Sequence, residues 1–299
     1  ELQAAINTAA AAGAGANGWT DLLIKLANNR TQRDKNNESV SVLDLGVTTG
    51  FSADQTANFN NAIANTDREL FVPDGDYRID GTVMLTKGKL RFSKKARLIK
   101  KAQYTTNTDP VLMLGGWHTE CDGGEFVTEN DHPNGVVICG QLNKTYQGNA
   151  LCWRLINPLI RGKTGNADNI GLHIFSSQPF VGDNAANYFG TVFNPIIFDC
   201  SYGIVFSEIV NAHTVFAPQF WGCGKAAITF YGAYGNTVVG GFLHQSANGV
   251  IGVNLRDMRF QTAHHSTLNY VYGFNLEPYG DSSMALYIDT NCTLNNINL

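Results

Sequence analysis

The sequence predicts an all-β fold, a solenoid of short parallel strands, on three observations. The triplets Thr191-Val192-Phe193, Thr214-Val215-Phe216 and Thr237-Val238-Val239 recur at a step of 23 residues. Apolar runs of three or four residues, parted by Gly, Asp, Asn or Lys, continue this pattern back to residue 81, as short strands would. The chain has 299 residues, of which 31 are glycine and 15% are charged, a composition that suits many tight corners. A fixed period in the low twenties is typical of one solenoid turn.

Composition narrows the classes of function. The formal net charge is −4, so the sequence lacks the excess of positive charge that nucleic-acid binding requires. We therefore expect no nucleic-acid partner. No run of roughly 18 or more apolar residues occurs, so we expect no membrane insertion. A mildly negative charge leaves the handling of acidic polymers open.

The six cysteines lack a Cys-x-x-Cys spacing, so we expect neither a zinc site nor a redox motif, and the sequence predicts no metal and no cofactor. Cys200 and Cys223 lie one 23-residue step apart and are predicted to stack in adjacent turns. Stacked turns are about 4.8 Å apart. That spacing allows two reduced thiols, which would fit folding in a cytoplasm, and it also allows a disulfide.

Residues 1–40 are predicted to form an N-terminal helix and a neck. The Ala-rich residues 1–16 place small apolar side chains at a helical spacing. The polar run that follows contains Arg30, Arg33 and Lys35 and is either a docking surface or a solvated linker. Because the first residue is Glu1 rather than Met, and the last residues still follow the solenoid pattern, we expect the chain to belong to a longer protein.

Residues 41–100 are predicted to form the entry to the solenoid. Val40 to Gly46 alternates like a strand and ends on glycine. Thr56 to Ala64 has apolar residues on one helical face, with Asp54 or Thr56 as the N-cap. A helix here would cover the first turn, whose core and strand edges are otherwise exposed.

Three motifs of this segment resemble the opening of pectate-lyase-like right-handed β-helices, in the form found in bacteriophage tailspikes. They are Leu43-Asp44-Leu45-Gly46, then Thr56-Ala57-x-Phe59-x-x-Ala62-Ile63, then Phe71-Val72-Pro73-x-Gly75-x-Tyr77-Arg78-Ile79. Upstream, Gly18-Trp19-Thr20-Asp21-Leu22-Leu23 resembles the neck of phage tail fibre proteins, so the likeness covers residues 17–100. One departure is that residues 49–56 replace the Gly-Asp-Gly…Asp-Asp-Thr run that the family often has, which is a structural feature.

The resemblance implies a right-handed parallel β-helix, with a capping helix at its entry and residues 101–299 as its body. It implies a homotrimer on the tail of a virion, made in the bacterial host cytoplasm and joined to other tail or baseplate proteins through the N-terminal region. It also implies binding and cleavage of a bacterial surface polysaccharide, a capsule or an O-antigen, during host attachment. The alternative is a non-enzymatic receptor-binding or adaptor spike, because the same sequence features would predict its fold.

Aligning the turns predicts columns of side chains. One column holds Arg161, Phe198, Trp221 and His244; the next holds Gly162, Asp199, Gly222 and Gln245; a third holds Glu208, Tyr231 and Asn254. A flat aromatic surface with polar neighbours suits the apolar faces of sugar rings. Ordinary stacked core aromatics are the alternative. The predicted substrate-binding residues are Trp221, His244, Tyr231 and Arg161.

Hydrolysis of a glycan needs two carboxylates, about 5–5.5 Å apart for retention or about 6.5–9.5 Å apart for inversion. One or two solenoid steps of about 4.8 Å supply such distances. The predicted catalytic residues are Asp199, Glu208 and Asp183, the last in a loop predicted near residues 176–187. Cleavage by β-elimination, slightly less favoured, needs a base such as His213 or His244. Because the sequence has no Ser-His-Asp or Gly-x-Ser-x-Gly signature, we do not expect a deacetylase.

Overall fold

The computed structural model describes residues 39–140, 150–163, 168–176, 187–207, 210–244, 250–256, 266–277, 283–289, 292 and 295–299. The described chain forms a right-handed parallel β-helix, which confirms the predicted fold class. Each full turn contributes one strand to each of three parallel sheets, so hydrogen-bonded neighbours belong to consecutive turns. The predicted neck lies outside the described residues, apart from residues 39 and 40.

The strands of each sheet follow one another along the helix axis. Sheet 1 consists of Ser39–Ser41, Glu69–Val72, Lys89–Phe92, Glu120–Asp122, Arg154–Ile156, Thr191–Phe193, Thr214–Phe216, Thr237–Val239, Tyr270–Tyr272 and Asn296–Asn298. Sheet 2 consists of Gly75–Arg78, Ala96–Lys100, Glu125–Thr128, Leu159–Arg161, Ile196–Phe198, Gln219–Trp221, Phe242–His244 and Asn275–Glu277. Sheet 3 consists of Val83–Leu85, Leu112–Leu114, Val137–Gly140, Ile170–Phe175, Tyr202–Ser207, Ala226–Tyr231, Ile251–Arg256 and Met284–Ile288. A separate two-stranded ladder pairs Ala150–Leu151 with Asn187–Tyr188.

The 23-residue repeat corresponds to consecutive turns of sheet 1. Thr191–Phe193 pairs residue by residue with Thr214–Phe216, which pairs in the same way with Thr237–Val239. The middle residue of each triplet is fully buried and the two flanking residues face outward, as alternation along a strand requires. Each buried valine of this column contributes about 1.5–3 kcal/mol through removal of apolar surface from water.

From the strand Glu120–Asp122 onward, the corner between sheets 1 and 2 has two residues, and the first of them has a left-handed backbone. Asn157, Asn194 and Ala217 have φ angles of 48°, 47° and 47°, and Gly240 takes the same position at 66°. The backbone N–H of each donates to a carbonyl of the next turn, for example from Asn194 to Phe216 at 2.9 Å. The constant length of this corner keeps sheets 1 and 2 in the same register from turn to turn.

A polar column runs through the interior where each turn enters sheet 1. The Asn236 amide nitrogen Nδ2 donates to Asn269 Oδ1 at 3.1 Å, and the backbone N–H of His213 donates to Asn236 Oδ1 at 3.1 Å. One turn further down, the backbone N–H of Gly190 donates to His213 Nδ1 at 2.9 Å, so Nε2 carries the proton that is shared with the Asn187 carbonyl. The buried polar groups of His213 and Asn236 are therefore satisfied largely by neighbouring turns.

The entry segment has the predicted capping helix, α1, at Thr56–Asn65. Its buried face packs Phe59 against Tyr77 in an edge-to-face contact at 5.5 Å. The predicted N-cap is wrong, because Gln55 holds that position without a side-chain cap, while Asp54 Oδ1 accepts from the Thr56 N–H at 3.0 Å. The predicted strand at residues 40–46 is shorter than expected, because the chain turns into a 3₁₀ helix at Val42–Leu45.

The predicted column of Glu208, Tyr231 and Asn254 is also wrong. Tyr231 pairs with Ser207 and Arg256, whereas Asn254 pairs with Thr229. The reason is the corner between sheets 2 and 3, which has three residues after Phe198, four after Trp221 and six after His244. Each change in corner length shifts the strand that follows.

The cysteines are free, so the reduced alternative is confirmed for Cys200 and Cys223, which are both buried. Burial raises the pKa of the Cys223 thiol to about 12, which keeps it protonated and unreactive. Among the described residues, no helix is long and apolar enough to cross a membrane. In the same part of the chain, no group of three or more His, Cys, Asp or Glu could hold a metal ion.

Candidate functional site

The first candidate surface is the ladder face, which consists of the outward residues at the ends of successive sheet 2 strands. They are Arg161, Phe198, Trp221, His244 and Glu277. The predicted column of the first four is confirmed. Glu277 pairs with His244 and so also lies in the ladder column.

The side chains of the ladder face stack on one another along the helix axis. The Arg161 guanidinium carbon lies 4.5 Å from the centre of the Phe198 ring. The other face of Phe198 meets Trp221 at 6.1 Å with an interplanar angle of 21°, and His244 meets Trp221 edge-on at 4.0 Å. His244 Nδ1 is 3.2 Å from Glu277 Oε2. The rings of the ladder face therefore contact one another along the helix axis.

Asp199 lies at the corner beside the ladder face. Its φ angle is 55°, a left-handed conformation that Asp tolerates better than most residues, and its N–H donates to the Trp221 carbonyl at 2.9 Å. Its carboxylate is half exposed, and Oδ2 is 3.7 Å from Arg161 Nη1. The other two predicted catalytic acids, Glu208 and Asp183, lie outside the described residues.

The second candidate surface is a groove of about 360 Å³ on the outer face of sheet 3. Two rows of side chains run along it, parallel to the helix axis. The floor row consists of His173, Val205, Thr229 and Asn254, and the outer row consists of Phe175, Ser207, Tyr231 and Arg256. Ile170, Tyr202 and Asp168 complete the lining on the other side. Sheet 3 strands here are six residues long, and their outward residues past the core form these two rows.

The floor of the groove is polar although it is buried. His173, Thr229 and Asn254 are 8%, 4% and 2% exposed. The Thr229 hydroxyl has no hydrogen-bond partner among the described residues. A buried polar group without a partner costs about 1–3 kcal/mol. Such a group at the base of an open groove is typical of a site that binds a polar ligand.

His173 and Ser207 contact each other across adjacent turns at one end of the groove. His173 Nε2 is 2.6 Å from Ser207 Oγ, and His173 Nδ1 is 2.9 Å from the backbone carbonyl of Asn134. Burial lowers the pKa of His173 to about 4, so its ring is neutral at pH 7.

The other end and the rim of the groove are charged. Arg256 Nε donates to Asn254 Oδ1 at 3.2 Å, and its guanidinium carbon lies 4.7 Å from the centre of the Tyr287 ring. On the opposite rim, Lys225 Nζ forms an ion pair with Asp168 and lies 5.6 Å from the Tyr202 ring centre. Aromatic rings and charged groups thus border the groove on both sides.

The predicted substrate-binding residues divide between the two surfaces. Arg161, Trp221 and His244 belong to the ladder face, and Tyr231 lines the groove. His213, considered as a base for elimination, is fully buried in the interior polar column and cannot reach a substrate. Sequence reasoning missed His173, Ser207 and Thr229, which lie 34 and 22 residues apart. A signal existed in the polar residues at outward positions of long apolar strands, but only the correct register of sheet 3 aligns them.

Comparisons with known proteins bear on the fold of the chain. No protein-family model matches the chain, and a comparison with curated proteins finds no match either. Among solved structures, the chain is similar to PfbA, a surface adhesin of Streptococcus pneumoniae, with a TM-score of 0.55 and 13% identity over 87% of this chain and 86% of that one. It is also similar to the Agl-KA catalytic domain, with a TM-score of 0.58 and 12% identity over 94% of this chain and 55% of that one.

Tailspike proteins also occur among the similar structures. The Dettilon tailspike protein has a TM-score of 0.48 and 11% identity over 91% of this chain and 55% of that one. At these identities the likeness concerns the course of the backbone and not the residues of a site. The likeness to PfbA and to the Agl-KA catalytic domain therefore supports the fold of this chain and nothing beyond it.

Proposed function

We propose that this chain binds a bacterial surface polysaccharide, a capsule or an O-antigen, along the groove of sheet 3, as part of a phage tailspike. The direction and the lining of the groove are the observations that support this proposal. It runs parallel to the helix axis over at least three turns, which suits a linear polymer, and its lining combines aromatic rings with buried polar groups. Tyr231, Arg256 and Asn254 are the proposed sugar contacts.

The attachment of the spike to a virion is part of this proposal. In this proposal the chain forms a homotrimer, and its N-terminal region attaches the trimer to other tail or baseplate proteins. The outer face of sheet 1 supports a self-association surface, because successive turns place an apolar row there: Ile156, Phe193, Phe216, Val239 and Tyr272. Val239 and Tyr272 are 37% and 39% exposed, which is high for apolar side chains in a continuous row.

Cleavage of the bound polymer is the second part of the proposal, by hydrolysis or by β-elimination. Asp199, Glu208 and Asp183 are the proposed acids, with Arg161, Trp221 and His244 as secondary contacts at the edge of the ladder face that add little to the affinity. The half-exposed Asp199 carboxylate beside Arg161 favours this, since both groups can reach a polymer that crosses the corner. A non-enzymatic receptor-binding spike would need the groove but not these acids.

Binding is tested by calorimetric titration with a panel of purified capsular polysaccharides and O-antigens. The paired variants are Arg256→Ala in the groove and Trp221→Ala on the ladder face. We expect the groove variant to weaken binding of the active polymer at least tenfold and the ladder variant to leave it within about threefold. The reverse pattern would place the site on the ladder face.

Cleavage is tested by following the length of the bound polymer by size-exclusion chromatography. New reducing ends without near-UV absorbance identify a hydrolase, and a rise in near-UV absorbance identifies a lyase. The matched variants are Asp199→Asn, Glu208→Gln and Asp183→Asn. An unchanged polymer length after long incubation, with binding intact, leaves the receptor-binding spike as the function.

A further inference from the structure

We propose that Ser207 is a nucleophile activated by His173, and that the groove hydrolyses carboxylic esters, such as O-acetyl groups carried by a polysaccharide. The geometry of the Ser207–His173 pair by itself supports this chemistry. The assignment of a sugar ester as the natural substrate rests on the proposed function.

The hydrogen bonds around His173 fix the tautomer that a general base needs. The Asn134 carbonyl can only accept, so the Nδ1 atom at 2.9 Å from it must carry the ring proton. Since the ring is neutral, Nε2 then has a free lone pair, and the Ser207 hydroxyl at 2.6 Å must donate to it. A serine that donates to the unprotonated nitrogen of an oriented imidazole is the arrangement that activates a hydroxyl for acyl transfer. The backbone carbonyl of Asn134 here orients the ring, a role that a carboxylate has in a catalytic triad.

A donor for the negative charge of a tetrahedral intermediate lies along the same groove. The Thr229 side chain is on the turn after Val205 and Ser207, diagonally across from Ser207, and its buried hydroxyl has no partner among the described residues. A hydroxyl donor held in a site of low exposure stabilises a developing oxyanion effectively. The Asn254 side chain lies one turn further along the groove, two strand spacings of about 4.8 Å from Ser207, where it can contact the alcohol part of the ester.

A purely structural pairing of Ser207 and His173 explains less of the geometry. Both side chains line an open groove and not the core, and the unpaired Thr229 hydroxyl lines the same groove. The interior histidine, His213, provides the contrast. Its two ring nitrogens are both satisfied by backbone groups.

The proposed reaction needs only water as a second reactant. Ser207 Oγ forms a bond to the acyl carbon while its proton moves to His173 Nε2, and the sugar oxygen then leaves with that proton. Water attacks the acyl-serine, His173 takes one of its protons and returns it to Ser207 Oγ, and a carboxylic acid is released. The sum is ester plus water to alcohol plus acid.

A fluorophosphonate probe, which phosphonylates activated serines, tests the nucleophile directly in the whole chain. We expect mass spectrometry to find the adduct on the peptide that contains Ser207, none on that peptide in Ser207→Ala, and labelling at least tenfold slower in His173→Gln. Ser93→Ala, which lies far from the groove, should label as the wild type does. Absence of a Ser207 adduct in a folded wild-type protein would overturn the proposal.

Hydrolysis of p-nitrophenyl acetate provides the second readout. Ser207→Ala should lower the rate at least tenfold while its melting temperature stays close to that of the wild type, and a rate that persists in this variant would also overturn the proposal. The rate should not rise through about pH 6.5, the ordinary pKa of histidine, because the His173 pKa of about 4 keeps the ring neutral there. Polysaccharide binding by Ser207→Ala separates the two proposals: ester hydrolysis lost with binding retained supports both, and binding absent in the wild type sinks only the proposed function.

Discussion

The outer faces of sheets 2 and 3 are built from strands of the same helix but form different surfaces. On sheet 2 the strands that carry the ladder face end after three residues, and their last side chains stack from Arg161 to Glu277. On sheet 3 the strands beside them have six residues, and their outward side chains line the groove. The two outer faces therefore differ in strand length, and one carries a stack of side chains whereas the other carries a concave site.

The two faces also differ in how their polar groups are satisfied. On the ladder face the charged groups pair with each other, Arg161 with Glu125 and Asp199, and His244 with Glu277. In the groove the Thr229 hydroxyl has no partner within the part of the chain that the structure describes, and His173 is held neutral by burial. A surface whose polar groups already pair with each other gains few hydrogen bonds from a ligand. A surface with an unpaired polar group gains the hydrogen bonds that folding did not supply.

The largest expected effect is acid destabilisation through the buried histidines. His173 and His213 each have a folded pKa of about 4, below the unfolded value of 6.5, so the unfolded chain binds more protons between these values. Stability is complete above about pH 6.5 and falls as the pH is lowered towards 4, by up to about 3 kcal/mol for each histidine. Urea unfolding across this range should give a smaller loss for His173→Gln than for the wild type. An equal loss would mean that His173 is not held neutral in the groove.

The next effect concerns Tyr231, which lines the groove between Ser207 and Arg256. Removing the ring in Tyr231→Ala should lower the affinity for the bound polysaccharide about tenfold, or about 1.4 kcal/mol. Tyr231→Phe is the matched control, since it keeps the ring, and should lose less than Tyr231→Ala. Titration calorimetry measures both, and equal affinity of all three proteins would remove Tyr231 from the site.

On the ladder face the corresponding change should affect stability instead of binding. Trp221→Ala removes one stacked contact with Phe198 and one edge contact with His244, each of a kind worth about 0.5–1.5 kcal/mol. We expect the free energy of unfolding to fall by about 1–2 kcal/mol with little change in polysaccharide affinity. A stable Trp221→Ala protein that no longer binds would reverse the comparison between the faces.

The smallest effect should come from the ion pair at the end of the ladder face. Glu277 is more than half exposed and its partner His244 is about a quarter exposed, so solvent screens their interaction. Glu277→Gln should change the free energy of unfolding by less than about 1 kcal/mol. A larger loss in thermal melting would show that the stack depends on this terminal pair.

The part of the fold that the sequence predicts well is the part with constant corners. Between sheets 1 and 2 two residues always intervene, from Asn157-Pro158 to Gly240-Gly241, so a single repeat aligned both sheets and placed Trp221 above Phe198 correctly. The entry segment was predictable for another reason. Its helix and turn have strong local signals, although the N-cap moved to Gln55.

The groove could not be predicted because it depends on a register that varies. The corner before sheet 3 changes length at nearly every turn, so a fixed repeat put Tyr231 beside Asn254 when its neighbour is Arg256. The Ser207–His173 contact joins residues 34 positions apart, a separation that matches no repeat in the chain. The chemistry of a serine and a histidine without a nearby acid also gives no sequence motif, since the third partner is a backbone carbonyl.

The polar column of the interior has a consequence for how such a chain changes length in evolution. The backbone N–H of His213 is satisfied by Asn236 and that of Asn236 by Asn269, so each turn needs only an asparagine at the same place in the turn above. A duplication of residues 214–236 would supply that partner to every new turn and leave the old ones unchanged. The β-helix could therefore grow by whole turns, and the groove with it, without any single insertion having to repair the core.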